Sequence, residues 1–274
     1  MRRLWLALGL VCLALPVFAE EAATQGITLP SLFKADDSGR YNVKIKVAGA
    51  ARLPGASQPT RIDALLDMTL AYSVGRLTSR DWIEVVISAE RASATVAGQK
   101  VELPKDTFPK LTALVNDKGD VSSLLASEMG GQKLPGINYR NLILLFRPYA
   151  PAGELKPGAT WRKTISLPPE PEKYEFSCTL QGLEDIGSVR TAKVRSDISV
   201  VPPEGSSYTA SGFAVTNFSL DSGRLVKSHA EMVVKTPGAP PKTPAGTPAA
   251  DSPGEIQATV KIDIQPAETA KPAK

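Results

Sequence analysis

Two residue types on which much enzyme chemistry depends are nearly missing from these 274 residues, which contain two cysteines and one histidine. A serine or cysteine nucleophile needs a positioned histidine in most of its forms. The sole candidate, His229, shares a strand face with Lys227, Glu231 and Lys235, opposite Val226, Ala230, Met232 and Val234. That placement predicts a solvated side chain rather than a general base. Zinc and similar metals take several Cys and His ligands at short spacings, and Cys178 and His229 stand too far apart in the chain to begin such a set. No internal disulfide is expected either, because Cys12 belongs to the leader described below and leaves Cys178 alone. In Tyr174-Glu175-Phe176-Ser177-Cys178-Thr179-Leu180 a period of two groups Cys178 with Tyr174, Phe176 and Leu180. It reads as a small buried hydrophobe.

Other signatures are missing as well. There is no glycine loop of the phosphate-cradling kind and no Gly-x-Ser-x-Gly elbow. Asp117-Lys118-Gly119-Asp120 lacks the ligand spacing and closing glutamate of a calcium loop, and reads as a hairpin turn. Asn217-Phe218-Ser219 matches the glycosylation triplet, which also arises by chance. Paired carboxylates leave no spacing signature, so a cofactor-free hydrolase stays as the minor alternative. Apart from that, the chain reads as a non-enzyme with no catalytic, cofactor-binding or metal residues. Nor is there an excess of one charge: 32 basic residues oppose 28 acidic ones. The nearest approach to a basic run, Arg190, Lys193 and Arg195, alternates with Ala192 and Val194 as a solvated strand face does. Nucleic acid is therefore not an expected partner.

What is present begins with an export leader. Arg2 and Arg3 precede an apolar run from Leu4 to Leu15, Pro16 breaks it, and Val17-Phe18-Ala19 supplies a small residue before the cut. Cleavage is expected between Ala19 and Glu20. The run is shorter than the roughly 20 residues that span a bilayer, so no transmembrane segment is expected after cleavage. Cys12 follows Gly9-Leu10-Val11, without the small neighbour that lipidation requires. Taking Arg2 and Arg3 from the 32 basic residues leaves 30 against 28. A secreted or periplasmic protein follows.

Beyond the leader, and after an irregular segment over 20–40, a period of two dominates. Tyr41, Val43, Ile45 and Val47 alternate with Asn42, Lys44 and Lys46. Ile62, Ala64, Leu66, Met68, Leu70, Tyr72 and Val74 continue the pattern over a length that only a long antiparallel strand supplies. Trp82 to Val96 reads as its returning partner, ended by Gly98. Pro104 and Pro109 make the next stretch irregular. Leu111 to Val115 then turns through Asp117-Lys118-Gly119-Asp120 into Val121. Asn138 to Arg147 is the best helix candidate, with Tyr139, Leu142, Ile143 and Phe146 on one face; a buried strand over Leu142–Phe146 is the alternative. Later strands are expected around Trp161, Lys163 and Ile165, over Lys173–Leu183, Arg190–Val201 and Tyr208–Leu220, and over Leu225–Lys235. Asp221-Ser222-Gly223-Arg224 turns the last pair.

The stretch from Thr236 to Gly254 carries six prolines among Ala, Gly, Thr and Ser and cannot pack a core. Ile256, Ala258, Val260, Ile262 and Ile264 then resume the alternation, as a last strand expected beside Leu225–Lys235. The predicted division is a signal peptide over 1–19, a β-rich half over 41–150 with its helix near 138–147, and a second over 151–265. A disordered loop over 236–254 and a disordered tail over 266–274 complete it. The fold class is mainly β: long antiparallel strands in a curved sheet, as a half-barrel or sandwich, with one or two short helices and two halves that the paired Asp-x-Gly turns suggest are alike.

Phe146-Arg147-Pro148, then Leu155-Lys156-Pro157-Gly158-Ala159-Thr160-Trp161, then Leu220-Asp221-Ser222-Gly223-Arg224-Leu225 resemble a loose set of exported bacterial β-rich proteins classed as a domain of unknown function. The resemblance spans mainly residues 146–235. It implies an envelope or secreted location and a curved antiparallel sheet, and it brings no catalytic residues. A curved sheet with one apolar face has to cover it. Two readings follow: a module holding an apolar or lipid-like ligand, or a structural protein that binds an envelope partner.

Overall fold

The computed structural model describes residues 26–29, 34–52, 58–77, 82–116, 119–127, 139–146, 151, 153–169, 171–206, 208–236 and 255–267. The expected leader with its expected Ala19–Glu20 cleavage point, most of the proline-rich stretch and most of the expected tail lie outside these residues.

The strands are β1 Ser38–Arg52, β2 Thr60–Leu77, β3 Ile83–Val96, β4 Gln99–Glu102, β5 Leu111–Val115, β6 Val121–Ala126, β7 Thr160–Ser166, β8 Lys173–Ile186, β9 Val189–Val201, β10 Thr209–Ser219, β11 Leu225–Thr236 and β12 Glu255–Pro266. They form one antiparallel sheet in the order β6-β5-β3-β2-β1-β12-β11-β10-β9-β8-β7, with β4 also on β3. The sheet curls into a nearly closed, barrel-like shape. Of the two expected forms this is the half-barrel. Its edges, β6 and β7, are the extremes of the strand order, yet Lys163 Nζ of β7 lies 2.5 Å from Asp120 Oδ1 in the β5–β6 turn. That ion pair crosses the seam.

Alternation gives the curled sheet one inner and one outer face. Along β1, Tyr41, Val43, Ile45 and Val47 are buried while Lys44 and Lys46 are exposed. One flank of each strand therefore joins a shared interior that draws from both halves of the chain. The convex flank carries cross-strand pairs such as Arg40–Glu90 at 2.8 Å and Lys261–Glu231 at 2.9 Å. This is the reverse of a membrane barrel, whose outer band is apolar.

Irregularities let the strands follow the curve. Register shifts fall between Thr69 and Leu70 on the β2–β3 ladder, between Leu180 and Gly182 on β8, and between Asn217 and Phe218 on β10. A bulge inserts one residue and sharpens the local twist. Gly49 and Gly212 act differently. A Cβ on Gly212 would overlap the Glu231 carbonyl oxygen and stand 2.7 Å from Met232 Cα. On Gly49 it would overlap the Gln257 carbonyl and stand 2.6 Å from Ala258 Cα. Neighbouring backbone passes where a side chain would be, which only glycine permits. Gly119 at φ 90° and Gly223 at φ 71° take the positive φ expected of the two turns, although Asp117 and Lys118 of the first lie outside the described residues.

One expectation needs correction, and two were met but incomplete. The β2–β3 hairpin ends before Gly98 as expected, but Ala97 and Gly98, at φ 49° and 81°, also turn the chain into β4, which the sequence did not suggest. Four residues, all exposed, were too few to show a period. The segment expected as an ordinary helix is a 3-10 helix, Tyr139–Phe146. It buries the consecutive Leu142, Ile143 and Leu144, so it is enclosed by its surroundings instead of showing one wet face. Finally, β12 pairs with β11 as expected but also with β1, from Tyr41↔Pro266 to Arg52↔Glu255. That pairing makes one sheet of the strands before and after the 3-10 helix.

Where the chain enters β1, the Asp37 carboxylate receives the Tyr72 hydroxyl at 3.2 Å and the Arg224 guanidinium from the β10–β11 turn. Tyr41 stacks on Tyr72 with centroids 5.6 Å apart. Burial pushes the Tyr72 hydroxyl up to about 12, and Tyr41 higher still. Their folded-state proton affinity exceeds the unfolded value of 10, so the stability they contribute is complete below pH 10 and is lost as pH rises through 12. Thermal melts from pH 9 to 12 should therefore show Tm falling above pH 10, and falling less in a Tyr41→Phe/Tyr72→Phe double variant.

Candidate functional site

The antiparallel registers align inward-facing residues into rows that run round the barrel. One row passes from Leu180 through Val194, Thr216, Ser228, Ile264 and Val43 to Met68. Every member is buried. Its two hydroxyls satisfy each other, Thr216 Oγ1 to Ser228 Oγ at 2.8 Å, as buried polar groups must. This end of the barrel is packed shut.

One step along the strands, the row from Trp161 through Cys178, Ser196, Ala214 and Ala230 to Ile262 and Ile45 is built largely of small side chains. Cys178 is 0% exposed, faces Tyr174, Phe176 and Leu180 as expected, and rests 3.3 Å from Ser196 Oγ. Burial pushes its thiol up, away from the reactive thiolate. It should resist a thiol reagent such as Ellman's in native buffer and react fully in denaturant. Fast labelling of the folded protein would contradict the burial.

The third row starts at Lys163 and runs through Phe176, Ile198, Gly212, Met232 and Val260 to Val47, Ala64 and Val96. Register turns all of these inward, yet Ile198, Gly212, Met232, Val260 and Ala64 are only half-buried and Val96 is 55% exposed. In the last row Val200, Ala210, Val234, Gly49 and Ile62 are half-buried too, while Ala258 between Val234 and Gly49 is buried. On its β8 side that row is covered, because the Tyr174 hydroxyl lies 2.8 Å from Asn141 Oδ1 of the 3-10 helix and 2.7 Å from Glu172 Oε2. Burial therefore grades along the strands from a filled floor to an open rim. The result is an apolar bowl: toward this end, apolar inward-facing residues on β9, β10, β11 and β2 and Val260 of β12 are reached by solvent, while Val47 of β1 and Ala258 of β12 beside them are buried.

The residues weighed for chemistry lie elsewhere. His229 is half-exposed on the convex face, its Nδ1 2.7 Å from Asp263 Oδ1 on β12 and its ring 6.4 Å from Phe213. Among the described residues no three His, Cys, Asp or Glu side chains gather as a metal set, and the four rows contain no carboxylate. Asn217 of the glycosylation triplet is 4% exposed and donates to Glu184 and Thr191, leaving a glycan no room. Lys193 is the main cause that holds the Glu184 carboxyl below its usual range. In the basic run, Lys193 and Arg195 pair with Glu184 and Asp197.

The residue that sequence reasoning passed over is Lys163. It sits between Trp161 and Ile165 in an alternating stretch, a pattern that already places a cation on an apolar face. Among described residues it is the one charged member of the four rows.

No protein-family model matches the sequence, and no curated protein does. Among solved structures the chain is similar to a Bacteroides fragilis protein of YmcC-like fold, with 12% identity, TM-score 0.27, and coverage of 85% of this chain and 98% of that one. It is similar to a DUF1329 family protein from Desulfovibrio piger, with 8% identity, TM-score 0.18, and coverage of 86% and 88%. A Vibrio parahaemolyticus domain named for outer-membrane lipoprotein sorting gives 8% identity, TM-score 0.17, and coverage of 88% and 90%. At such identities and scores the likeness assigns this chain neither a ligand nor an activity.

Proposed function

We propose that this chain is an exported, non-enzymatic module that holds an apolar, lipid-like ligand in the cell envelope. One observation carries the reading: residues that register turns into the barrel, Ile198, Met232, Val234 and Val260 among them, are apolar and yet half-exposed. A protein gains nothing from leaving such a wall wet. Covering it with an acyl chain is favourable by roughly 25 cal/mol per Å² of apolar surface removed from water. Binding of this type relies on shape and lining instead of a motif, which fits a sequence almost without histidine and cysteine. Export rests on the leader, with cleavage between Ala19 and Glu20. The two β-rich halves, 41–150 and 151–265, act together as the wall.

Native mass spectrometry of the protein purified from its own host tests both parts. The expected mass begins at Glu20 and carries a lipid-sized adduct that organic extraction removes. A clean protein mass accompanied by a stoichiometric partner protein would replace this reading with that of an envelope scaffold.

A further inference from the structure

We propose that Lys163 anchors the head of the bowl's ligand, so that the preferred ligand is a single-chain amphiphile ending in an oxyanion, either carboxylate or phosphate. The inference rests on the preceding reading and narrows it. Lys163 shares its register row with the half-buried Ile198, Met232 and Val260, so it leaves the wall at their level and carries its ammonium to the seam beside Asp120. Its side chain is 24% exposed. A cation in that position is costly without a counter-charge, and Asp120 supplies one across the seam.

Asp120 does not depend on Lys163 for its place. Its backbone N–H donates to Asn116 Oδ1 at 2.8 Å and its carboxylate accepts from Asn116 Nδ2 at 3.1 Å. The carboxylate is also 45% exposed, so water can take over its solvation. Asp120 thus occupies the position that a ligand's oxyanion would take, and an incoming head can exchange for it on the ammonium while the chain lies along the apolar wall. An ammonium has three donors and no acceptor, so it selects an anionic head over an alcohol of the same length.

The test compares palmitate, palmitoyl lysophosphatidate and hexadecanol by displacement of a fluorescent fatty-chain probe from wild type, Lys163→Met and Asp120→Asn. Wild type should prefer at least one anionic head to hexadecanol by about tenfold or more, as charge-assisted hydrogen bonds do. The two anionic ligands show which oxyanion is read. In Lys163→Met that preference should fall to within about twofold while hexadecanol affinity stays unchanged, which also shows the variant folded. Asp120→Asn, which removes the competing carboxylate, should bind the anionic ligand more tightly than wild type. An unchanged ratio in Lys163→Met, with hexadecanol still bound, would overturn the role of Lys163 and leave the bowl intact. Binding of none of the three to wild type would overturn the bowl and this inference together.

Discussion

Gly212→Ala should lower stability by at least about 3 kcal/mol, and Gly212→Val should leave little folded protein. Inserted methylenes in a packed site typically cost about 1–3 kcal/mol when flexible side chains can yield. At Gly212 the added atom meets the Glu231 carbonyl and Met232 Cα, which are backbone of the neighbouring strand. Relief requires β10 and β11 to part at the middle of the β10–β11 ladder, where Gly212 pairs with Met232. For a domain of this size about 3 kcal/mol corresponds to a Tm drop of roughly 6–12 °C. Gly75→Ala is the control. Its new Cβ would lie 3.4 Å from Glu84 Cβ, an ordinary contact, and its Tm should change by no more than a few degrees. Equal effects at the two positions would mean that backbone approach does not shape the wall.

Val260→Trp should weaken binding of an acyl ligand at least tenfold, roughly 1.4 kcal/mol, while leaving Tm within a few degrees. Val260 is half-buried and faces inward in the middle of β12, between Met232 and Val47 in its row. An indole there takes up inward-facing space beside Met232 and Val47, and it does so without opening a cavity or breaking a hydrogen bond. The adjacent Lys261 faces outward, where it pairs with Glu231. Lys261→Trp should therefore leave binding unchanged. Loss of affinity in both variants would point to a general perturbation of β12, and loss in neither would place the ligand elsewhere. The two substitutions differ by one residue in position and by the whole thickness of the sheet in direction.

Much of this fold was legible because a barrel wall obeys a period of two. The alternation at Tyr41, Val43, Ile45 and Val47 names the inner face of β1 directly, and the run from Ile62 to Val74 names that of β2. The turns at Gly119 and Gly223 were readable for the same local reason, the need for a positive φ. What could not be read depended on partners distant in sequence. Nothing in Ile256 to Ile264 says that β12 lies against β1 as well as β11, since an apolar face serves either side equally. The bulge opposite Thr69 and Leu70 moves the inward positions of β3 from Val85 and Ile87 to Ala92 and Ala94, and a pattern read without the bulge puts these on the wrong face.

The candidate site shows the same division. The apolar character of its lining was visible as alternation, but the distinction between filled core and open bowl was not. Ile264 and Ile262 are the same residue on the same face of one strand, and only the first is fully buried. Ile262 lies beside the small Ala230 and Ile264 beside Ser228 on β11, so the difference depends on neighbours that the fold brings in from elsewhere in the chain. Lys163 was the exception, because a lysine between Trp161 and Ile165 breaks the alternation in a way the sequence itself displays. Cys178 was the reverse case, placed on the inner face by its neighbours and found there.

The most direct test of the bowl is contact between an acyl chain and Trp161, half-buried in the second row beside Cys178. In protein produced from Glu20 onward, which lacks Trp5, Trp82 and Trp161 are the tryptophans, so Trp82→Phe leaves Trp161 as sole reporter. Titration with a fatty acid brominated along its chain should quench that emission saturably at about one chain per protein, and the unbrominated acid should not. If the brominated chain binds and Trp161 emission stays unquenched, the ligand is not inside the barrel and the account is contradicted.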